Sequence, residues 1–102
     1  FLTDNGNASG RYGDWGIKLR GKKADVYEGG IRIPCAMRWP GVIEPGTSTG
    51  TIASYMDLMP TLLNAANVQP TKQEKIDGSS VLPLALGKGS PSSDRKIIIQ
   101  WH

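Results

Sequence analysis

The sequence predicts an α/β fold, with helices packed on a mixed sheet. Three observations predict it. Short apolar runs of strand length stand at residues 1–3, 31–39 and 96–101. A stripe of helical spacing, Leu58, Met59, Leu62, Leu63 and Ala66, lies between the second run and the third. Stretches rich in Gly, Asn and Pro separate these segments, as loops do.

The first run, Phe1-Leu2-Thr3, ends abruptly in Asp4-Asn5-Gly6, which opens a Gly- and Asn-rich loop over residues 4–16. A turn accounts for this, because Asp and Asn bond their own backbone and Gly accepts positive φ. Two adjacent oxygen-bearing side chains at a strand end are also how a protein holds a hard cation against an anion. The residues of the loop leave both readings open. Asn7-Ala8-Ser9 matches a glycosylation sequon, a tripeptide common by chance.

Residues 17–30 form a second loop, carrying Leu19-Arg20-Gly21-Lys22-Lys23 and Tyr27-Glu28-Gly29-Gly30. Its glycines let backbone come close to a ligand or to other backbone. The run 31–39 then alternates partly between apolar and polar as a strand does, and ends at the turn Pro40-Gly41. Pro34 assigns it to an edge, a bulge or a strand start. Within it Cys35 reads as a small buried hydrophobe. Glu44-Pro45-Gly46-Thr47 is a turn, and residues 52–56 form a short extended piece. Asp57 is placed to cap a helix through Ala66, with Pro60 in the first turn, where its missing N–H costs little. The apolar stripe of that helix should face the core. Residues 67–80 read as a polar surface connection, 81–86 as one packed turn, and 96–101 as the last strand.

At 102 residues with 38% hydrophobic content the chain has the size and composition of one modest domain. Both ends fall inside apolar runs, so it reads as an internal piece of a longer protein. The net charge of +3 is mild, yet Arg11, Lys18, Arg20, Lys22, Lys23, Arg32 and Arg38 cluster in sequence against Asp14, Asp25 and Glu28. Such a cluster suits a small anion or a solvated basic face. Nucleic acid is not expected, because no RNA-binding signature or aromatic stacking platform accompanies the charge. The single cysteine excludes an internal disulfide and a cysteine-based zinc site. No segment approaches the roughly 20 apolar residues of a membrane span.

Five motifs in order give the chain a specific resemblance: Thr3-Asp4-Asn5-Gly6; Leu19 to Lys23 with Tyr27-Glu28-Gly29-Gly30-Ile31-Arg32-Ile33-Pro34; Arg38-Trp39-Pro40-Gly41; Asp57-Leu58-Met59-Pro60-Thr61-Leu62-Leu63; and Asp77-Gly78. In this order and spacing the chain resembles the type I, arylsulfatase-like sulfatases of the alkaline-phosphatase-like superfamily. The resemblance implies a partial sulfatase fold, truncated at both ends. On that reading residues 1–66 end the main catalytic α/β domain, and 67–102 connect to and begin a C-terminal subdomain.

The resemblance also implies chemistry. Asp4 and Asn5 take the place of oxygen ligands to a divalent cation, usually calcium, with the other ligands elsewhere. Lys23, five residues before Glu28, takes the place of the lysine that contacts the substrate sulfate and is therefore the catalytic and substrate-binding residue. Lys22 stands where the family commonly has Gly, and solvent exposure suits it. Glu28, Gly29 and Gly30 read as architectural, Arg20 as one half of a structural ion pair, and His102 as a surface residue. The family's nucleophile is a formylglycine made from Cys or Ser in a C/S-x-P/A-x-R motif. Cys35 does not match that motif, since Met37 holds the Pro/Ala place and Trp39 the Arg place.

The implied parent enzyme hydrolyses a sulfate ester of a small molecule or glycan, its formylglycine lies upstream of these residues, and the 102 residues alone are expected to be inactive. A periplasmic, secreted or lysosomal site goes with the family. Two rivals stand beside this reading. One is a phosphodiesterase or phosphonate hydrolase of the same superfamily, because a cation with a lysine also suits phosphate. The other is a non-catalytic homologue that binds sulfated glycans.

Overall fold

The structure is a computed structural model that describes residues 1–8, 19–71, 75–89 and 94–100. The chain divides into two compact units, Phe1–Met37 with Ile98–His102, and Arg38–Ile97.

In the first unit Leu2 and Cys35 form an isolated antiparallel bridge, and the Ala36 N–H donates to the Phe1 carbonyl at 2.8 Å. This bridge is the only strand pairing among the described residues, which show no mixed sheet. Cys35 is exposed rather than buried, because no described element packs over it. Helix α1, Glu28–Ile31, occupies the start of the run expected as a strand. Tyr27 and Glu28 carbonyls take the N–H groups of Gly30, Ile31 and Arg32 at 2.8 to 3.1 Å, so the turn closes on itself before the chain extends to the bridge.

The second unit is built around a buried carboxylate. A 3₁₀ turn, Tyr55–Asp57, leads into helix α2, Leu58–Ala65, and a further short helix, α3, covers Leu82–Ala85. Asp57 does not cap α2 with its side chain. Instead Ser54 caps the 3₁₀ turn, its Oγ accepting from Met56 N–H at 3.2 Å, while the Asp57 carboxylate reaches back to accept from Ser54 N–H at 2.7 Å. This reciprocal capping box satisfies donors that a helix start leaves orphaned. The other Asp57 oxygen accepts from Ser79 N–H at 2.9 Å and from the Arg95 guanidinium at 2.5 Å.

Gly78 makes this closure possible. A Cβ there would overlap the Met56 carbonyl, so only glycine lets the chain pass close enough to aim Ser79 at Asp57. Burial raises the Asp57 pKa, but the Arg95 hydrogen bond, the Ser79 and Ser54 N–H groups and the Arg95 charge together outweigh it, holding the carboxyl below its ordinary value.

The buried positions here are Asp57, just ahead of α2, and Thr61 four residues on, rather than the full apolar stripe. Thr61 is buried and its hydroxyl accepts from Val81 N–H at 3.0 Å, which ties α2 to the start of α3. Leu58 and Leu63 are half-buried, but Met59 and Leu62 are 60% and 64% exposed. The polar anchors on α2 set its rotation, and the stripe follows only in part. Among the described residues Leu82 of α3 is the one buried hydrophobe.

Both α2 and α3 stop in the same way. After α2 the N–H groups of Asn67 and Val68 bond the carbonyls of Asn64 and Leu63, with Asn67 at φ +54°. Beyond α3 those of Gly87 and Lys88 bond Leu84 and Pro83, with Gly87 at φ +67°. These are Schellman closures, which need a left-handed residue just past the helix, and Asn and Gly supply it at least cost. The one packed turn expected over residues 81–86 is therefore present as α3. The expected turns at Pro40-Gly41 and Glu44 to Thr47 are present too, with Gly41 and Gly46 at positive φ and the Thr47 hydroxyl donating to the Glu44 carbonyl at 2.9 Å. Of the last strand expected over residues 96–101, the described residues 96–100 show no strand pairing.

Candidate functional site

The candidate site is assembled in the first unit by backbone. Gly6 N–H donates to the Gly30 carbonyl at 3.1 Å and Asn7 N–H to the Gly29 carbonyl at 2.9 Å. The loop that begins with Asp4-Asn5 is thereby docked against the Glu28-Gly29-Gly30 turn. Asn7 then returns the contact, its carbonyl accepting from Lys23 N–H at 2.7 Å. Three segments, 4–7, 20–25 and 28–30, are so held as one hydrogen-bonded body.

The Lys23 segment is a tight turn. Asp25 N–H donates to the Lys22 carbonyl at 2.8 Å, and the Asp25 carboxylate accepts from Lys22 N–H at 3.0 Å. Ala24, the third residue of the turn, has φ +76°, while Lys23 is not among the left-handed residues, the pattern of a type II turn. Glycine is the usual occupant of that third position, so Ala24 holds a strained conformation of the kind that clusters at ligand sites. Lys22 and Lys23 stand at the crest of the turn, both exposed, with no side-chain partner among the described residues.

The neighbouring cations are engaged locally. The Arg20 guanidinium lies 3.7 Å from the Tyr27 ring centroid and donates to the Tyr27 hydroxyl at 2.7 Å, so among the described residues it stacks on an aromatic ring in place of the expected ion pair. Arg32 pairs with Glu28 at 3.2 Å, one turn apart, with both side chains exposed, which gives the pair little energy. Arg11 and Lys18 of the same basic cluster lie outside the described residues, as do Asp14, Ser9 of the sequon and His102.

The local self-bonding that a simple turn would give Asp4 and Asn5 is not seen. Among the described residues neither side chain takes a partner, and the side-chain bond that shapes the loop is Thr3 hydroxyl to Asn5 carbonyl at 3.1 Å. A carboxylate and an amide oxygen in sequence are the donor types a hard cation takes. No group of three or more His, Cys, Asp or Glu gathers among the described residues, so these offer a cation the Asp4 carboxylate and the Asn5 amide oxygen and not a complete shell. Sequence reasoning missed the part of Asn7: its carbonyl joins the two loops, and a main-chain acceptor leaves no signature in residue type.

Comparison with known proteins gives this assembly a family. Residues 15–102 match the family described as N-sulphoglucosamine sulphohydrolase, C-terminal. The chain belongs to this sulfatase family. It is similar to the steryl-sulfatase of Rattus norvegicus, 44% identical over 86 residues that are 84% of this chain and 14% of that protein. The arylsulfatase A of Homo sapiens is 42% identical over 91 residues, 87% of this chain and 18% of that protein. The N-acetylgalactosamine-6-sulfatase of Canis lupus familiaris is 38% identical over 91 residues, covering 85% of this chain and 17% of its own length. The chain thus spans less than a fifth of the length of these relatives.

Proposed function

We propose that this chain is part of a sulfatase that hydrolyses a sulfate ester to an alcohol and sulfate, with Lys23 holding the sulfate and Asp4 and Asn5 contributing two oxygen ligands to a divalent cation, calcium by its preference for such donors. The observation that carries the proposal is the docking of the Asp4-Asn5 loop against the Lys23 turn through Gly6, Asn7, Gly29 and Gly30. Hard oxygens and an ammonium without a partner among the described residues, on loops joined by backbone hydrogen bonds, suit an anion held between a cation and a lysine. The bound cation would supply positive charge to the sulfate oxygens. Lys23 adds its own charge at a fixed point, and charge placed before the reaction costs no reorganisation during it.

The family relation supports the substrate class, since all three relatives carry sulfatase in their names. Their names differ in the sulfate ester, steryl, aryl or N-acetylgalactosamine-6-sulfate, so the proposal extends to a sulfated small molecule or glycan and not to one alcohol. Cys35, exposed and paired by backbone to Leu2, has neither the motif nor the surroundings of a nucleophile. The remaining ligands and a formylglycine nucleophile would come from parts of the sulfatase domain outside these residues. A partial alkaline-phosphatase-like sheet belongs to the same proposal.

The test is to express the full-length protein with a formylglycine-generating enzyme and assay an aryl sulfate beside an aryl phosphate diester. Sulfatase turnover that Asp4→Ala abolishes is the expected result. Turnover of the diester alone would move the protein to the phosphoryl-transfer relatives, and binding of a sulfated glycan without cleavage would make it a non-catalytic homologue.

A further inference from the structure

The glycines around the candidate site do more than relieve crowding. A Cβ on Gly6 would overlap the carbonyl oxygens of Gly29 and Gly30, and one on Gly29 would overlap that of Gly21. On Gly30 it would lie 2.5 Å from the Lys22 carbonyl oxygen and overlap that of Asp25. The Gly29-Gly30 backbone is therefore sandwiched, with the Asp4–Asn7 loop on one side and the Arg20–Asp25 turn on the other, and no side chain as a spacer. The Asn7 carbonyl to Lys23 N–H bond at 2.7 Å links the two outer layers directly.

We infer that Gly6, Gly29 and Gly30 are positioning residues that couple the cation loop to the Lys23 turn, so that cation binding at Asp4-Asn5 and anion binding at Lys23 reinforce each other through backbone contact. The inference rests on the site reading proposed above and extends it. A packed interface without side chains transmits a shift of one layer to the next, because close-packed atoms have no slack to absorb it. A cation that fixes Asp4 and Asn5 fixes Asn7, and Asn7 fixes the amide of Lys23. Linkage then requires the reverse: an anion on Lys23 must tighten the cation loop by the same factor.

Calorimetric titration of the full-length protein with calcium and with inorganic sulfate tests this without any turnover. Gly29→Ala is expected to weaken both by about tenfold or more, the usual cost of losing support behind a ligand. Gly78→Ala is the control, because its Cβ meets backbone just as hard but lies in the Asp57 assembly. It should leave both affinities within about twofold of wild type, as for a site that shares no partners with the candidate site. Wild-type affinities in Gly29→Ala, or equal weakening by Gly78→Ala, would overturn the coupling. Asp4→Ala and Lys23→Ala report on the site itself: if Asp4→Ala leaves calcium affinity unchanged and Lys23→Ala leaves sulfate affinity unchanged, the site reading falls, and with it the coupling.

Should Gly29→Ala not fold, hydrogen exchange of the wild-type protein at single-amide resolution decides the matter. Coupling predicts that calcium alone slows exchange of the Lys23 amide and that sulfate alone slows those of Gly6 and Asn7. Protection confined to the loop that binds each ion would overturn it.

Discussion

Asp57 is 2% exposed and carries a full charge, an arrangement that persists only when both carboxylate oxygens are answered. Ser54, Ser79 and Arg95 answer them. Replacing Asp57 with Asn in the full-length protein keeps the shape but leaves Arg95 without its counter-charge, a loss of about 3 kcal/mol at neutral pH. The depressed pKa fixes the sign of the pH dependence. A carboxyl held lower in the folded state than its unfolded value near 3.9 contributes stability above about pH 4, and loses it as pH falls through the folded value. The gap in melting temperature between wild type and Asp57→Asn should therefore narrow below about pH 4. A gap unchanged from neutral to strongly acid pH would contradict this account.

Ala24 makes a second prediction at the same scale. Its Cβ is strained at φ +76°, so Ala24→Gly should stabilise the protein, by no more than about 1 kcal/mol because glycine also frees the unfolded chain. A lower melting temperature would show that the turn is not strained there. Neither feature was readable from the sequence. Asp57 looked like an ordinary cap because Arg95 lies 38 residues away, and a positive φ on alanine has no sequence signal.

At the scale of elements, the sequence placed what depends on local rules and misplaced what depends on partners. Helix α2 was legible from its period, and α3 from a short apolar run closed by glycine. The strand expected over residues 31–39 begins as helix α1, because the Tyr27 and Glu28 carbonyls find local donors before any neighbouring strand is reached. The caps themselves are testable. Gly87 has open space where a Cβ would go, so the cost of Gly87→Ala is conformational alone, about 1 kcal/mol for a left-handed alanine. Asn67→Gly at the matching position of α2 should be neutral or slightly stabilising. Thermal unfolding of both variants checks the pair, and a neutral Gly87→Ala would remove the left-handed cap from the explanation of why α3 stops.

At the scale of the whole molecule, motif order revealed the family and named the residues, and the structure added how they are held. Asp4, Asn5 and Lys23 were singled out by their places in the family motifs, and the roles proposed for them rest on that resemblance together with the docking of their two loops. Close backbone packing at Gly29 and Gly30 was legible from the motif as well, whereas the part of Gly6 and of the Asn7 carbonyl was not, because backbone contacts are made by atoms every residue carries. The central claim is that Lys23, and not its neighbour Lys22 on the same turn, holds the sulfate of the ester being cleaved. The measurement that tests it most directly is kcat/KM for an aryl sulfate in full-length Lys23→Ala and Lys22→Ala proteins. The account predicts a fall of about a hundredfold or more for Lys23→Ala, the scale of losing one charge-stabilising group, and near-wild-type activity for Lys22→Ala. Full activity in Lys23→Ala, or the larger loss in Lys22→Ala, would contradict it.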